Sequence, residues 1–83
     1  MRLAKNVKFR EEKFGGVLFE TRSEKVYTLT PTAAAVVKQV AEGRTPGEVA
    51  PALAQRFEAD GTTIEREVKA FLAELAEKGL VED

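Results

Sequence analysis

The side chains of this chain that could take part in acid–base chemistry are its carboxylates, because the sequence contains no His and no Cys. Those two absences remove the commonest general base, the thiol nucleophile and the usual zinc ligands. Close carboxylates can share acid–base work when they lie in one cleft. The candidates here are the pairs Glu11/Glu12 and Glu65/Glu67, and the single Asp60.

The neighbours of these carboxylates favour structural roles over catalysis. Glu65 follows Thr62 at the spacing of a helix capping box, and Asp60 precedes Gly61 in a turn-like stretch. Gly15 and Gly16 do not form a phosphate loop, since no Lys-Ser or Lys-Thr pair follows them. We therefore expect no enzymatic activity, no cofactor and no metal.

Three helices are predicted in the second half of the chain. The first runs from about 31 to 42, with Thr30 as N-cap, Pro31 at its first position and Gly43 after its end. A second helix spans roughly 46–58, where Thr45 and Glu48 have capping-box spacing. Their two-residue link is typical of a helix-turn-helix.

The third predicted helix opens with a capping box from Thr62 to Glu65 and runs to about Lys78. Gly79 fits the left-handed position that ends a helix, and Leu80 after it could pack back on Leu75 as in a Schellman motif. A wide apolar stripe on one side of this helix indicates that it packs on the rest of the domain.

The first half of the chain is predicted to form three strands. Val7 and Phe9 alternate with basic residues before a turn-like stretch at 11–13, and a second strand covers 17–21. The third covers 25–30 after a short hairpin connection, and runs straight into the first helix. If its Tyr27 and Leu29 face the helices, Val26 is left partly exposed.

The predicted fold is therefore α+β, with a three-stranded antiparallel sheet followed by three helices, similar to a winged helix-turn-helix. At 83 residues the chain suits a single domain over 1–83, with the sheet at about 5–30 and the helices at about 31–79. It has no apolar run long enough for a membrane span and no signal-peptide core, so we expect a cytoplasmic protein.

Charge is divided unevenly along the sequence. Residues 1–31 carry seven bases and four acids, a balance of +3, whereas residues 32–83 carry six bases and ten acids, a balance of −4. The two halves together give the net charge of −1. Such a distribution is compatible with an ordinary solvated surface, or with a mildly basic sheet that attracts an acidic partner.

Several motifs together resemble the PqqD family, small peptide chaperones also called RiPP recognition elements. The resemblance covers nearly all of residues 14–81 and depends on the order and spacing of the motifs. They are Phe14-Gly15-Gly16-Val17-Leu18, Val26-Tyr27-Thr28-Leu29 with Thr32-Ala33, Glu42-Gly43-Arg44-Thr45, and Phe71-Leu72 with Leu75 and Gly79-Leu80-Val81.

This resemblance implies that the chain binds the leader segment of a ribosomally made precursor peptide and presents it to a modifying enzyme, often a radical SAM enzyme. The leader would add as a strand to the third strand, in a groove beside the third helix. Lys25 would meet an acidic leader, although it could equally be an ordinary surface residue. The implied peptide-binding residues are Lys25, Val26, Tyr27, Thr28, Leu29, Thr30, Glu65, Val68, Lys69 and Leu72.

Two other functions remain open from the residues alone. A winged-helix DNA-binding regulator would need a basic recognition helix, but Glu65, Glu67, Glu74 and Glu77 make the third helix acidic. An edge-strand oligomerisation module is the other alternative, since an exposed strand can pair with its own copy. We therefore expect no nucleic-acid and no membrane partner, and either a monomer or a homodimer.

Overall fold

The computed structural model describes residues 1–57 and 61–82. It contains a three-stranded antiparallel sheet and three helices, which confirms the predicted α+β class. It also contains a pair of two-residue strands that sequence analysis missed. The elements are β1 (Arg2–Leu3), β2 (Val7–Glu12), β3 (Gly15–Glu20), β4 (Lys25–Leu29), α1 (Pro31–Ala41), α2 (Pro46–Phe57), α3 (Gly61–Glu77) and β5 (Val81–Glu82).

The larger sheet has the order β2-β3-β4, so β3 is central and β2 and β4 are its edges. Phe9, Leu18 and Tyr27 are register partners across the three strands and therefore share one face. Leu18 is completely buried, which identifies this face as the one that packs on the helices. The prediction that Tyr27 and Leu29 face inward is confirmed, and Val26 is 59% exposed as expected.

The strand boundaries differ from prediction at four places. Glu11 and Glu12 continue β2 instead of forming a turn. Strand β3 begins at Gly15 rather than at residue 17, and it ends at Glu20 rather than at residue 21. A Cβ at Gly15 would lie 2.1 Å from the Leu29 carbonyl oxygen, so only glycine fits there. Gly15 is therefore required by its close approach to the backbone at the end of β4. Thr30 lies beyond the end of β4.

The helix caps were largely predictable from local sequence. The Thr30 hydroxyl accepts a hydrogen bond from the Ala33 N–H at 3.2 Å, which makes Thr30 the N-cap of α1. The Glu48 carboxylate accepts from both the backbone N–H and the hydroxyl of Thr45 at 2.9 Å. These bonds lower the pKa of Glu48, the backbone bond most. Helix α2 ends at Phe57, and the last predicted residue, 58, lies outside the described residues.

The end of α3 matches its prediction and its start does not. Gly79 has a φ of +74°, and the N–H groups of Gly79 and Leu80 donate to the carbonyls of Ala76 and Leu75, which is the Schellman pattern. Thr62, however, is already inside the helix, so the predicted capping box at residues 62–65 is wrong. Glu65 instead forms an ion pair with Lys69, 3.1 Å apart.

The hydrophobic core lies between the inner sheet face and the helices. It draws buried side chains from every helix, from β2, β3 and β4, and from the chain end at Leu80 and Val81. The short β1–β5 pair fastens that end, with Arg2 opposite Glu82 and an ion pair of 3.2 Å between them. Within the described residues, no helix is both long and apolar enough to cross a membrane.

Candidate binding site at the open edge of the sheet

Backbone hydrogen bonding fixes which groups of β3 face β4. The Thr21 N–H donates to the Asn6 carbonyl at 2.8 Å, on the β2 side of the sheet. Main-chain groups of successive strand residues point to opposite sides, so those of Glu20, Leu18 and Gly16 point toward β4. Their register partners on β4 are Lys25, Tyr27 and Leu29.

The same alternation leaves Val26 and Thr28 with main-chain N–H and C=O groups directed away from β3. Among the strands that the structure describes, β4 has β3 as its one neighbour, so these groups face an open edge. Two residues with outward N–H and C=O groups can exchange up to four hydrogen bonds with an added strand. The edge is therefore able to accept a peptide through main-chain atoms alone.

A cleft of about 350 Å³ opens beside the end of this edge. Its walls come from the β4–α1 junction, α1, α2 and α3, and they are largely apolar. Helix α3 packs chiefly on α2 and then meets β5. The cleft lies between α3 and the β4–α1 junction, and no residue of β4 itself lines it. We call it the β4–α3 cleft, after the helix that lines it and the strand whose end it adjoins. Its lining residues are Thr30, Thr32, Ala33, Val36, Leu53, Ile64, Glu67, Val68 and Phe71.

One flank of α3 faces the cleft. Glu67 and Phe71 line it, and Lys78 lies two helical turns further along the same flank, with its Nζ 5.5 Å from the centre of the Tyr27 ring. Lys78 also binds Glu74 at 2.9 Å. That hydrogen bond is the main cause of the raised pKa of Lys78. Lys78 follows the last residue of α3 and lines a separate depression beside Asn6 and Glu20.

The ten site residues predicted from the sequence differ in their exposure and in their position relative to the cleft. Lys25, Val26 and Thr28 are exposed on β4, and Tyr27 is half-buried and turned toward α3. Leu29 is buried beneath the strand, whereas Thr30 is exposed and lines the cleft. Of the six predicted residues at 25–30, Thr30 lines the cleft and the other five precede it along the strand.

The four predicted site residues of α3 do not all lie at the cleft. Val68 is 4% exposed but contributes to the cleft wall, whereas Leu72, 3% exposed, belongs to the core and does not line the cleft. Glu65 and Lys69 are exposed on the other side of the helix, since Glu65 lies about 160° around the axis from Glu67. The helical period identified the apolar stripe of α3 correctly. It did not identify which of the two polar sides of that stripe lies next to the cleft.

Sequence reasoning missed the residues that line the cleft most directly. Phe71 was assigned to the apolar stripe of the core, yet it is half-buried and lines the cleft. Glu67 was taken as a solvated residue, and it forms part of the same wall. The spacing 67, 71, 74 and 78 follows one side of a helix, and this periodicity was the available signal.

The carboxylates considered for catalysis are dispersed in the structure. Glu11 lies 3.6 Å from Lys38 of α1, Glu12 binds Arg10, and Glu65 binds Lys69. Asp60 lies outside the described residues. Within the described part of the chain, no cluster of three or more potential metal-ligating acids is present.

The hairpin that leads into β4 is organised by Glu20. Its carboxylate accepts hydrogen bonds from the backbone N–H groups of Arg22 and Ser23 at 2.9 and 2.8 Å, and from the Ser23 hydroxyl. The Ser23 hydroxyl is the main cause of the lowered pKa of Glu20. Glu24 completes the turn with a positive φ of 62°. These contacts fix the start of β4, and hence of the open edge.

Solved structures of three proteins share this fold over the whole chain. TbiB1 in complex with the TbiA(beta) leader peptide is 26% identical with a TM-score of 0.90, covering 99% of this chain and 95% of that one. Lasso peptide synthetase B1 complexed with the leader peptide is 30% identical with a TM-score of 0.85, covering 99% and 96%.

The third is the PqqD truncation of Methylobacterium extorquens PqqCD, described as a functional, stand-alone RiPP recognition element. It is 32% identical with a TM-score of 0.77, covering 99% of this chain and 87% of that one. No curated protein sequence matches the chain. The family model of coenzyme PQQ synthesis protein D matches residues 15–81, which include β3, β4 and all three helices. This chain therefore belongs to the PqqD family.

Proposed function

We propose that this chain binds the leader segment of a ribosomally synthesised precursor peptide as a strand added to β4, and presents that peptide to a modifying enzyme. The observation that carries the proposal is the open edge at Val26 and Thr28 beside the β4–α3 cleft. Two structurally similar proteins, TbiB1 and lasso peptide synthetase B1, were solved with leader peptides. A radical SAM enzyme is the modifying enzyme that the family resemblance indicates.

The geometry gives the peptide a defined pattern. Leader residues bonded to Val26 and Thr28 would direct their side chains to the outside of the sheet. Their neighbours, opposite Tyr27 and Leu29, would point inward toward Phe71 and the cleft. We therefore expect apolar leader residues two apart, with their side chains filling the cleft between β4 and α3.

Charge sets the other part of the proposed specificity. Lys25 and Lys78 lie at the start of β4 and at the end of α3, so they provide positive charge at one end of the groove. Glu67 lines the cleft near the opposite end. A leader with an acidic residue near the lysines, and none near Glu67, would be complementary to this groove.

The proposed site is revised accordingly from the sequence-based one. It keeps Lys25, Val26, Tyr27, Thr28, Leu29 and Thr30, and Val68 as a wall of the cleft. Phe71, Glu67 and Lys78 take the places of Glu65, Lys69 and Leu72. We propose further that residues 1–83 act as one recognition domain, without catalytic activity of their own, in the cytoplasm where ribosomal precursors are made.

The proposal is tested by titrating a fluorescent leader peptide, from the precursor encoded nearest this gene, against two variants. Phe71→Ser removes an apolar wall of the cleft and should weaken leader binding by about 2 kcal/mol, roughly thirtyfold. Ala70→Ser makes a matched change at the neighbouring exposed position and should leave affinity unchanged.

Thermal melts of both variants separate a lost contact from a lost fold. Phe71 is half-buried and packs against the core, so some destabilisation is expected, but the melt should still be cooperative. Equal leader affinity in the two folded variants would contradict the placement of the leader in this cleft.

A further inference from the structure

The face of the sheet turned away from the helices carries an unusual combination of side chains. Register partners place Lys8, Phe19 and Val26 in one row, and Arg10, Val17 and Thr28 in the next. We call these six residues the outer sheet face. Val26 is 59% exposed, and Val17 and Phe19 are only half-buried, with no helix over them.

The apolar part of this face forms a shallow depression rather than a flat surface. It has a volume of about 370 Å³ and is bordered by the basic side chains of Lys8 and Arg10. Phe14, 55% exposed, lies in the turn between β2 and β3. A contiguous patch of exposed apolar side chains with a polar rim is a recurring feature of protein interaction sites.

We propose that the outer sheet face is the docking surface for the modifying enzyme, and that the enzyme meets it with an apolar patch rimmed by acidic residues. This inference rests on the proposed function. It adds the location of the enzyme contact, which lies on the opposite side of β4 from the β4–α3 cleft. A leader on β4 and an enzyme on the outer sheet face can then be held at the same time.

The charges on this face favour an acidic partner. Lys8 is exposed, and the Arg10 side chain is 82% exposed. Glu12 is on the same face by strand alternation and pairs with Arg10, so two positive charges and one negative leave this face a net charge of +1. Positive charge around an apolar depression speeds and orients the encounter with an acidic surface.

A second copy of this chain fits the face less well. Three strands about 4.8 Å apart and about 20 Å long cover roughly 300 Å², which is below the roughly 800 Å² per partner of a standard stable interface, so any partner held firmly here must also contact something beyond the face. A second copy would also bring its own Lys8 and Arg10. A leader strand added to β4 would widen the face by about a third, which favours an enzyme that contacts the face and the leader together.

The experiment measures two affinities separately for each variant. The first is that of the leader peptide alone for the chain, and the second is that of the leader-loaded chain for the modifying enzyme encoded beside it. Lys8→Glu reverses a charge on β2, and Val17→Thr removes apolar surface from β3 while keeping a β-branched side chain. Arg44→Glu, at the link between α1 and α2, is the matched charge reversal elsewhere.

We expect Lys8→Glu and Val17→Thr each to weaken enzyme binding by about tenfold. The dependence of enzyme affinity on salt concentration should fall more in Lys8→Glu than in Val17→Thr, because Lys8→Glu reverses a charge. Leader affinity should stay unchanged in all three variants, and Arg44→Glu should bind the enzyme normally. Unchanged enzyme binding in both outer-face variants would overturn the proposal.

Two other results would each contradict a different proposal. Sedimentation that shows a wild-type homodimer, dissociated by Lys8→Glu, would assign the face to a second copy and overturn the enzyme assignment. Failure of the leader titration, which contains no enzyme, would instead contradict the proposed function. The two failures are therefore distinguishable.

Discussion

The two edge strands of one sheet, β2 and β4, differ in how open their edges are. By strand alternation the outward main-chain groups of β2 are those of Val7, Phe9 and Glu11. The Val7 N–H already donates to the Ala4 carbonyl at 3.0 Å, and Lys38 of α1 lies 3.6 Å from the Glu11 carboxylate. Charged side chains and local bonds thus protect the β2 edge from pairing.

The β4 edge has no comparable protection in the described residues. Val26 and Thr28 present their groups outward with neutral side chains, and the cleft opens at Thr30, just beyond the end of the strand. One sheet therefore has a protected edge and a receptive edge. Recognition by strand addition therefore depends on what surrounds an edge as well as on the strand itself.

The largest loss of stability is expected where a side chain is added at the close contact between Gly15 and the end of β4. Gly15→Ala would place a Cβ 2.1 Å from the Leu29 carbonyl oxygen and 2.6 Å from the Thr30 carbonyl carbon, at a φ of +142°. We expect destabilisation on the order of 3 kcal/mol, because backbone atoms cannot yield as a flexible side chain would. Chemical denaturation measures this, and a wild-type unfolding midpoint would contradict the close packing.

The second prediction compares the two edges directly by placing proline on each. Thr28→Pro removes an outward donor of β4 and should weaken leader binding at least about tenfold, from the lost hydrogen bond and the intruding ring. Glu11→Pro makes the equivalent change on β2 and should leave leader affinity unchanged. Peptide titration is the measurement, and equal losses in the two variants would show that the edges are not distinct.

The smallest effect concerns pH and the hairpin that starts β4. Because hydrogen bonds lower the pKa of Glu20 in the folded chain, its contribution to stability is present above the usual glutamate pKa and is lost as pH falls through the lowered value. Glu20→Gln should therefore melt at a lower temperature than wild type near neutral pH, and the gap should narrow on acidification. A gap independent of pH would contradict this role.

Local signals made much of the fold predictable. Thr30, Thr45 and Gly79 each act within a few residues, so their helix ends could be assigned from sequence alone. The β1–β5 pair could not be assigned, because two-residue strands have no periodicity and join the two ends of the chain. Gly15 looked like a turn residue because its close contact with Leu29 is distant in sequence.

The candidate site was half predictable for a related reason. The β-formers of β4 and their abrupt end at Pro31 indicated an edge, whereas the flank of α3 that borders it depends on tertiary packing. The apolar stripe of α3 has polar residues on both sides, and the sequence gives no reason to place Glu67 rather than Glu65 at the cleft. In the folded chain Glu67 lines the cleft and Glu65 pairs with Lys69.

Strand addition at β4 can be followed by amide hydrogen exchange, residue by residue, with and without the precursor leader. Leader binding should slow exchange at Val26 and Thr28, whose N–H groups face the open edge. Tyr27 and Leu29, already bonded to β3, and Phe9 and Glu11 on β2 should change little. Unchanged exchange at Val26 and Thr28, with protection appearing on β2 or confined to α1 and α2, would contradict strand addition at β4.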